Sequence, residues 1–75
     1  MPTLHRLRYC KIEMRFRDHQ PPHVHVLMAD GREVLVEIEG LRVVGNIPGR
    51  ELVEALEWIV QNTTLLLEAW EKYHR

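Results

Sequence analysis

The stretch from His23 to Glu39, HVHVLMADGREVLVEIE, constrains the fold more than any other part of the chain. Val24, Val26 and Met28 alternate with His23, His25 and Leu27. After the turn residues ADGR, Val34, Val36 and Ile38 alternate with Glu33, Leu35, Glu37 and Glu39. A period of two on both sides of a turn is the pattern of an antiparallel hairpin with one buried face. The parity of the loop then decides what lies inside. A two-residue Asp30-Gly31 loop pairs His25 with Val36 and mixes histidines among the valines. An odd loop sets Val24 and Val26 beside Val34 and Val36. A slip of one residue turns every side chain over, so the apolar face selects the register. The expectation is a three-residue loop, Ala29 to Gly31, with Gly31 left-handed at a bulge. This register puts His23 opposite Glu37 and His25 opposite Leu35.

Upstream, RYCKIEMRF alternates too: Cys10, Ile12, Met14 and Phe16 face one way, and Tyr9, Lys11, Glu13 and Arg15 the other. This reads as another half-buried strand. The segment RDHQPP ends it, because proline has no N–H and holds its predecessor extended. After the hairpin, GLRVVGN reads as a short fourth strand or an extended link.

The remainder, NIPGRELVEALEWIVQNTTLLLEAWEKYHR, is helical. Pro48 suits a first helical turn. Glu51 and Glu54 lie near the start, and Lys72, His74 and Arg75 near the end, as the helix dipole prefers. Leu52, Leu56, Ile59, Thr63, Leu66, Trp70 and Tyr73 recur at steps of four and three, forming one apolar stripe. The polar QNTT lies within it, and Asn62-Thr63-Thr64 is a plausible cap. The chain therefore ends in one long helix or in two helices meeting near Asn62. A straight helix of about 25 residues is about 38 Å long, and a six-residue strand about 20 Å. A straight helix would overhang the sheet, leaving Leu65, Leu66, Trp70 and Tyr73 to pack elsewhere, against a second chain for example. The fold class is α+β, a small antiparallel sheet of three to four strands with helix on its valine face, in a single domain, residues 1–75.

Composition narrows the function classes. The single cysteine, Cys10, permits no internal disulfide and suits a reducing, cytoplasmic setting. No apolar run is long enough for a membrane span. The net charge of −1 argues against a protein that coats nucleic acid by charge alone. The distribution is uneven: residues 1–25 carry five basic and two acidic side chains, net +3, and residues 26–75 carry five and nine, net −4. The basic end suits phosphate or an acidic partner.

Three of the five histidines fall within RDHQPPHVHV. His23 and His25, two apart on one strand face, suit two ligands of a metal, with Asp18, His19 or Glu37 as a third, although no second fixed-spacing pair accompanies them. No metal or other cofactor is assigned. Alternatively the pair suits metal-independent acid–base work on RNA. One imidazole takes a 2′-hydroxyl proton, another protonates the leaving oxygen, and Arg15 or Arg17 steadies the charge. Glu37 would orient His23. The plain alternative is solvated strand histidines beside a glutamate, with Asp18 capping the turn before the prolines. Trp70 lies on the apolar stripe and reads as core. Trp58 lies off it and suits a sheet edge or a partner.

The order of motifs also resembles a known family. A short N-terminal strand, then DHQPPHVHV, a Gly-Arg-Glu hairpin, GNIP and the EL…W…LLEAW tail are similar to the prokaryotic family called domain of unknown function 4160. The resemblance covers nearly the whole chain. Its motif residues here are Asp18, His19, Pro21, Pro22, His23, His25 and Val26, then Gly45, Pro48, Trp58 and Trp70. It brings no catalytic assignment. It does imply a DhiT-like toxin of a two-protein toxin–antitoxin module, whose partner is a small antitoxin-like protein. That partner would meet the helical stripe or an open sheet edge. RNA is the expected target, no membrane is involved, and self-association of the chain is a further expectation.

Overall fold

The computed structural model describes residues 3–15 and 19–74. Five strands form one antiparallel sheet in chain order: β1 (Thr3–Arg6), β2 (Cys10–Glu13), β3 (His23–Met28), β4 (Glu33–Glu37) and β5 (Val43–Val44). A 3-10 turn (Gly49–Glu51) leads into α1 (Val53–Gln61) and α2 (Thr63–Tyr73). The α+β arrangement is as expected, with five strands in place of three to four. The added strand is β1, whose residues TLHR show no alternation in hydrophobicity. It is defined by pairing with β2 through His5↔Ile12 and Arg6↔Lys11.

The central hairpin has the register that parity demands. His23 pairs with Glu37, Val24 with Val36, His25 with Leu35 and Val26 with Val34. The loop is Ala29 to Gly31: Met28 N–H donates to the Arg32 carbonyl at 2.7 Å, and Gly31 N–H to the Met28 carbonyl at 3.0 Å. Gly31 has φ 98°, a conformation that costs glycine nothing. The bulged odd loop leaves Val24, Val26, Val34 and Val36 on one face, each almost completely buried. Pro22 offers no N–H, but its carbonyl accepts from Ile38 N–H at 3.0 Å and extends the pairing by a step. The Gln20–Pro21 peptide is cis.

Leu52, Ala55, Ile59 and Leu66 join the valine face, with Ile12 and Met14, in one core. The helix starts later than the sequence suggests. Pro48 precedes a 3-10 turn, not an α-helical one, and α1 begins only at Val53. Gly49 in that first turn favours α-helix poorly. Two helices meet at Asn62, whose φ −122° and ψ 22° interrupt the spiral. Its side chain does not cap α2; Nδ2 donates to the Trp58 carbonyl at 2.8 Å and closes the end of α1. Thr63 Oγ1 donates back to the Ile59 and Val60 carbonyls, each at 3.1 Å. The interruption keeps the second half of the stripe on the chain's own core, so Leu66 and Trp70 are buried and the expected overhang does not arise.

Candidate functional site

The side of the sheet away from the valines carries the ionisable groups. Pairing sets Glu13 opposite His25, and His25 opposite Leu35 with Glu33 one step along. Glu33 Oε2 lies 2.8 Å from His25 Nδ1. Arg15 Nη2 reaches both oxygens of the same carboxylate at 3.1 Å. Arg15 Nε lies 3.8 Å from Glu13 Oε1, and Lys11 Nζ lies 3.3 Å from Glu13 Oε2. Arg15 and His25 thus share Glu33, and Arg15 and Lys11 share Glu13. A carboxylate can only accept, so His25 donates through Nδ1 and its orientation is set. Burial raises the Glu33 carboxyl, but the hydrogen bonds and charges of His25 and Arg15 outweigh it and hold the group below the ordinary glutamate range.

His23 is anchored in the same sense. Its Nδ1 lies 2.8 Å from the Pro21 carbonyl and therefore donates to it. The His23 ring lies 5.3 Å from His25, 5.7 Å from the exposed His19 and 5.1 Å from Trp70. Trp70 is also stacked with His74 at 3.7 Å, and His74 Nδ1 donates to the Trp70 carbonyl at 2.8 Å. Trp70 Nε1 is buried and has no acceptor among the described residues. The end of α2 therefore meets the start of β3 through Trp70, which is stacked with His74 and tilted by 52° against His23.

Several expectations change here. His23 and His25 are not solvated strand residues: they are 4% and 5% exposed. Glu13, expected on the open face, is also buried. Anchored imidazoles and a doubly paired carboxylate make that burial tolerable. Glu37 is opposite His23 as expected, but its carboxylate turns to Arg42 Nη1 at 3.6 Å, while His23 Nδ1 meets the Pro21 carbonyl. Arg15 is engaged by carboxylates and not left open for phosphate. Pro21 is exposed and Pro22 half-buried. Trp58 is half-buried and stacks on His5 of β1 at 4.7 Å and 8°, so it covers the sheet edge. The helical stripe is internal and offers little to a partner. Arg17 and Asp18 lie outside the described residues.

The sequence points to Glu37 beside His23 and names no carboxylate for His25, whereas Glu33 bonds its Nδ1 and Glu13 stands opposite it on β2. The diagonal contact to Glu33 follows from the hairpin register, whereas the place of Glu13 depends on the pairing of β2 with β3, which alternation within each strand does not fix. Burial raises the Cys10 thiol, with help from the negative charge of Glu54, which makes it a poor nucleophile.

An imidazole held by a carboxylate, beside an arginine, is oriented for proton transfer. Anchoring through Nδ1 also suits metal ligation, but among the described residues no three His, Cys, Asp or Glu converge on one point. No helix is long and apolar enough to cross a membrane among the described residues.

No curated protein and no solved structure matches the chain. One family profile does, over residues 10–71, from β2 nearly to the end of α2. The match spans the histidine hairpin, both tryptophans and the helix break, so the chain belongs to the family described as domain of unknown function (DUF4160).

Proposed function

We propose that this chain is the toxin side of a prokaryotic two-protein toxin–antitoxin module, DhiT-like, and that it acts in the cytoplasm on RNA. The observation that carries the chemical part is the Arg15–Glu33–His25 chain, with 3.1 and 2.8 Å links. Glu33 sets the tautomer of His25 and would steady the imidazolium formed when the ring takes a 2′-hydroxyl proton. His23, 5.3 Å away, is the second proton carrier. Arg15 holds Glu33 ionised and so acts through it.

The antitoxin-like partner is expected on the exposed apolar row of Val53 and Val60 on α1, residues 51% and 55% exposed. Such a row is the usual means by which one helix docks on another protein.

The burial of both histidines, with His19 and Pro21 exposed, favours a second reading, a non-enzymatic protein-binding module in which the His–Pro segment is a recognition surface. The two readings part on expression of the chain alone, which should arrest growth, with relief by the neighbouring gene's product. His25→Gln and Glu33→Gln, if they fold with unchanged melting cooperativity, should abolish arrest. Full arrest by a folded His25→Gln protein would discard the acid–base assignment and leave the binding module. Stoichiometric metal in the purified protein, with melting lowered by chelator, would instead favour a metal-binding protein.

A further inference from the structure

A basic exposed surface lies where β1 turns into β2. A cleft of about 360 Å³ opens there, lined by Arg6, Arg8, Tyr9 and Lys11 and floored by Leu27 and Met28. Its size is that of a small-ligand pocket. Two hydrogen bonds fix its shape: Leu7 N–H to the Cys10 carbonyl, and Ala29 N–H to the Tyr9 carbonyl, both 2.8 Å. Tyr9 is 63% exposed, the most exposed of the large apolar side chains described. The Arg8 guanidinium lies 5.9 Å from its ring centroid. Among the described residues neither Arg6 nor Arg8 forms an ion pair; Lys11 is shared with Glu13.

We infer that this turn is a subsite for single-stranded RNA, in which Tyr9 stacks on a base and Arg6, Arg8 and Lys11 hold the flanking phosphates. The inference rests on the RNA reading above and extends it. An exposed aromatic plane among cations is the usual platform for an unpaired base, which offers both a π-face and a charged backbone. The far side of Tyr9 directs the strand. There Asp30 and Glu51 bracket Arg32, two carboxylates to one guanidinium, and disfavour phosphate. The opposite side is continuous with the histidine face. Arg6 pairs with Lys11 across β1–β2, and Lys11, Glu13 and Arg15 succeed one another on the face that carries His25. From Lys11 to Arg15 is about 13 Å of extended chain. A strand seated on Tyr9 therefore runs toward the Arg15–Glu33–His25 cluster.

The test is binding of a fluorescein-labelled oligouridylate to the full chain, read by anisotropy over a salt series. Tyr9→Ala should weaken binding about tenfold at fixed salt, and Tyr9→Phe should retain it. Arg6→Ala combined with Arg8→Ala should weaken binding and reduce the slope of log affinity against log salt by about 1.4. Arg50→Ala, at an exposed cation elsewhere, should change neither. The subsite is overturned if the parent chain does not bind, or if the Tyr9 and arginine variants bind as the parent does. It is also overturned if polyglutamate competes as well as RNA and Tyr9→Ala has no effect, which would mark an acidic-protein site. His25→Gln separates the two ideas. RNA bound normally by a variant that still arrests growth sinks the acid–base reading alone, whereas arrest that needs His25 but not Tyr9 sinks the subsite alone.

Discussion

Gly45 shows how closely single residues are constrained. Its φ is 142°, and a Cβ built there would lie 2.5 Å from Val34 Cγ1 and 3.2 Å from the Val34 backbone. Val34 is itself buried in the sheet and cannot move aside. Gly45→Ala should therefore lower stability by about 1–3 kcal/mol in urea unfolding, from backbone strain and overpacking together; an unchanged midpoint would refute the close approach. Glu33 carries a pH dependence whose sign follows from its partners. Its carboxyl is held below its ordinary, unfolded value by the hydrogen bonds and charges of His25 and Arg15. The contribution is complete above that value and is lost as pH falls through the lower, folded one. The side chain is about a third exposed, so solvent screening limits the effect to under about 1 kcal/mol. Urea midpoints from neutral pH down into the acid range should fall less steeply for Glu33→Gln than for the parent. The remaining slope comes from Asp30 and Glu51, which Arg32 likewise holds low. Which carboxylate a histidine meets is where reading from sequence fell short: alternation put Glu33, Glu37 and His25 on one face, but rotamers chose Glu33 for His25 and gave Glu37 to Arg42.

Among the elements, the β3–β4 hairpin was the most legible, because parity and an apolar face fix a register without further information. The helix break was half legible. QNTT marked the place, but the role of Asn62 reversed, since its amide serves the carbonyl end of α1. Asn62→Ala should therefore cost about 1 kcal/mol, the loss of one such bond, and amide exchange should quicken first at the end of α1. Ile59→Ala, at a completely buried position between sheet and helix, should cost about 2–5 kcal/mol in the same unfolding assay. β1 was not legible: its four residues are too short and too mixed to show a period, and their place depends on pairing with β2 and on the Trp58 ring over His5. The burial of His23 and His25 was hidden for a similar reason. Alternation shows which face a residue takes, and says nothing of what tertiary contacts cover that face.

At the scale of the molecule, charge and apolar surface are segregated. The cations Arg6, Arg8 and Lys11 gather at the β1–β2 turn, while the exposed Val53 and Val60 lie on α1. Two partners of different chemistry can therefore be accommodated separately. Val60→Asp should abolish relief of growth arrest by the antitoxin-like partner while leaving arrest and RNA binding intact; relief that survives the substitution would place the partner elsewhere. The core itself is one cluster, which Leu52, Ile59, Leu66 and Trp70 share with the valines, so core substitutions should be read as losses of fold and kept apart from losses of function.

The stacking of both tryptophans on histidines, Trp58 on His5 and Trp70 on His74, has an optical consequence. A protonated imidazole in contact with an indole quenches its emission, so each tryptophan is a built-in gauge of its neighbour's charge. In Trp58→Phe the remaining emission belongs to Trp70 alone, which is in ring contact with His23 and His74. Titrating that light reads the state of the histidine cluster in the native chain, without label or substrate, and shows at once whether a bound ligand has reached it.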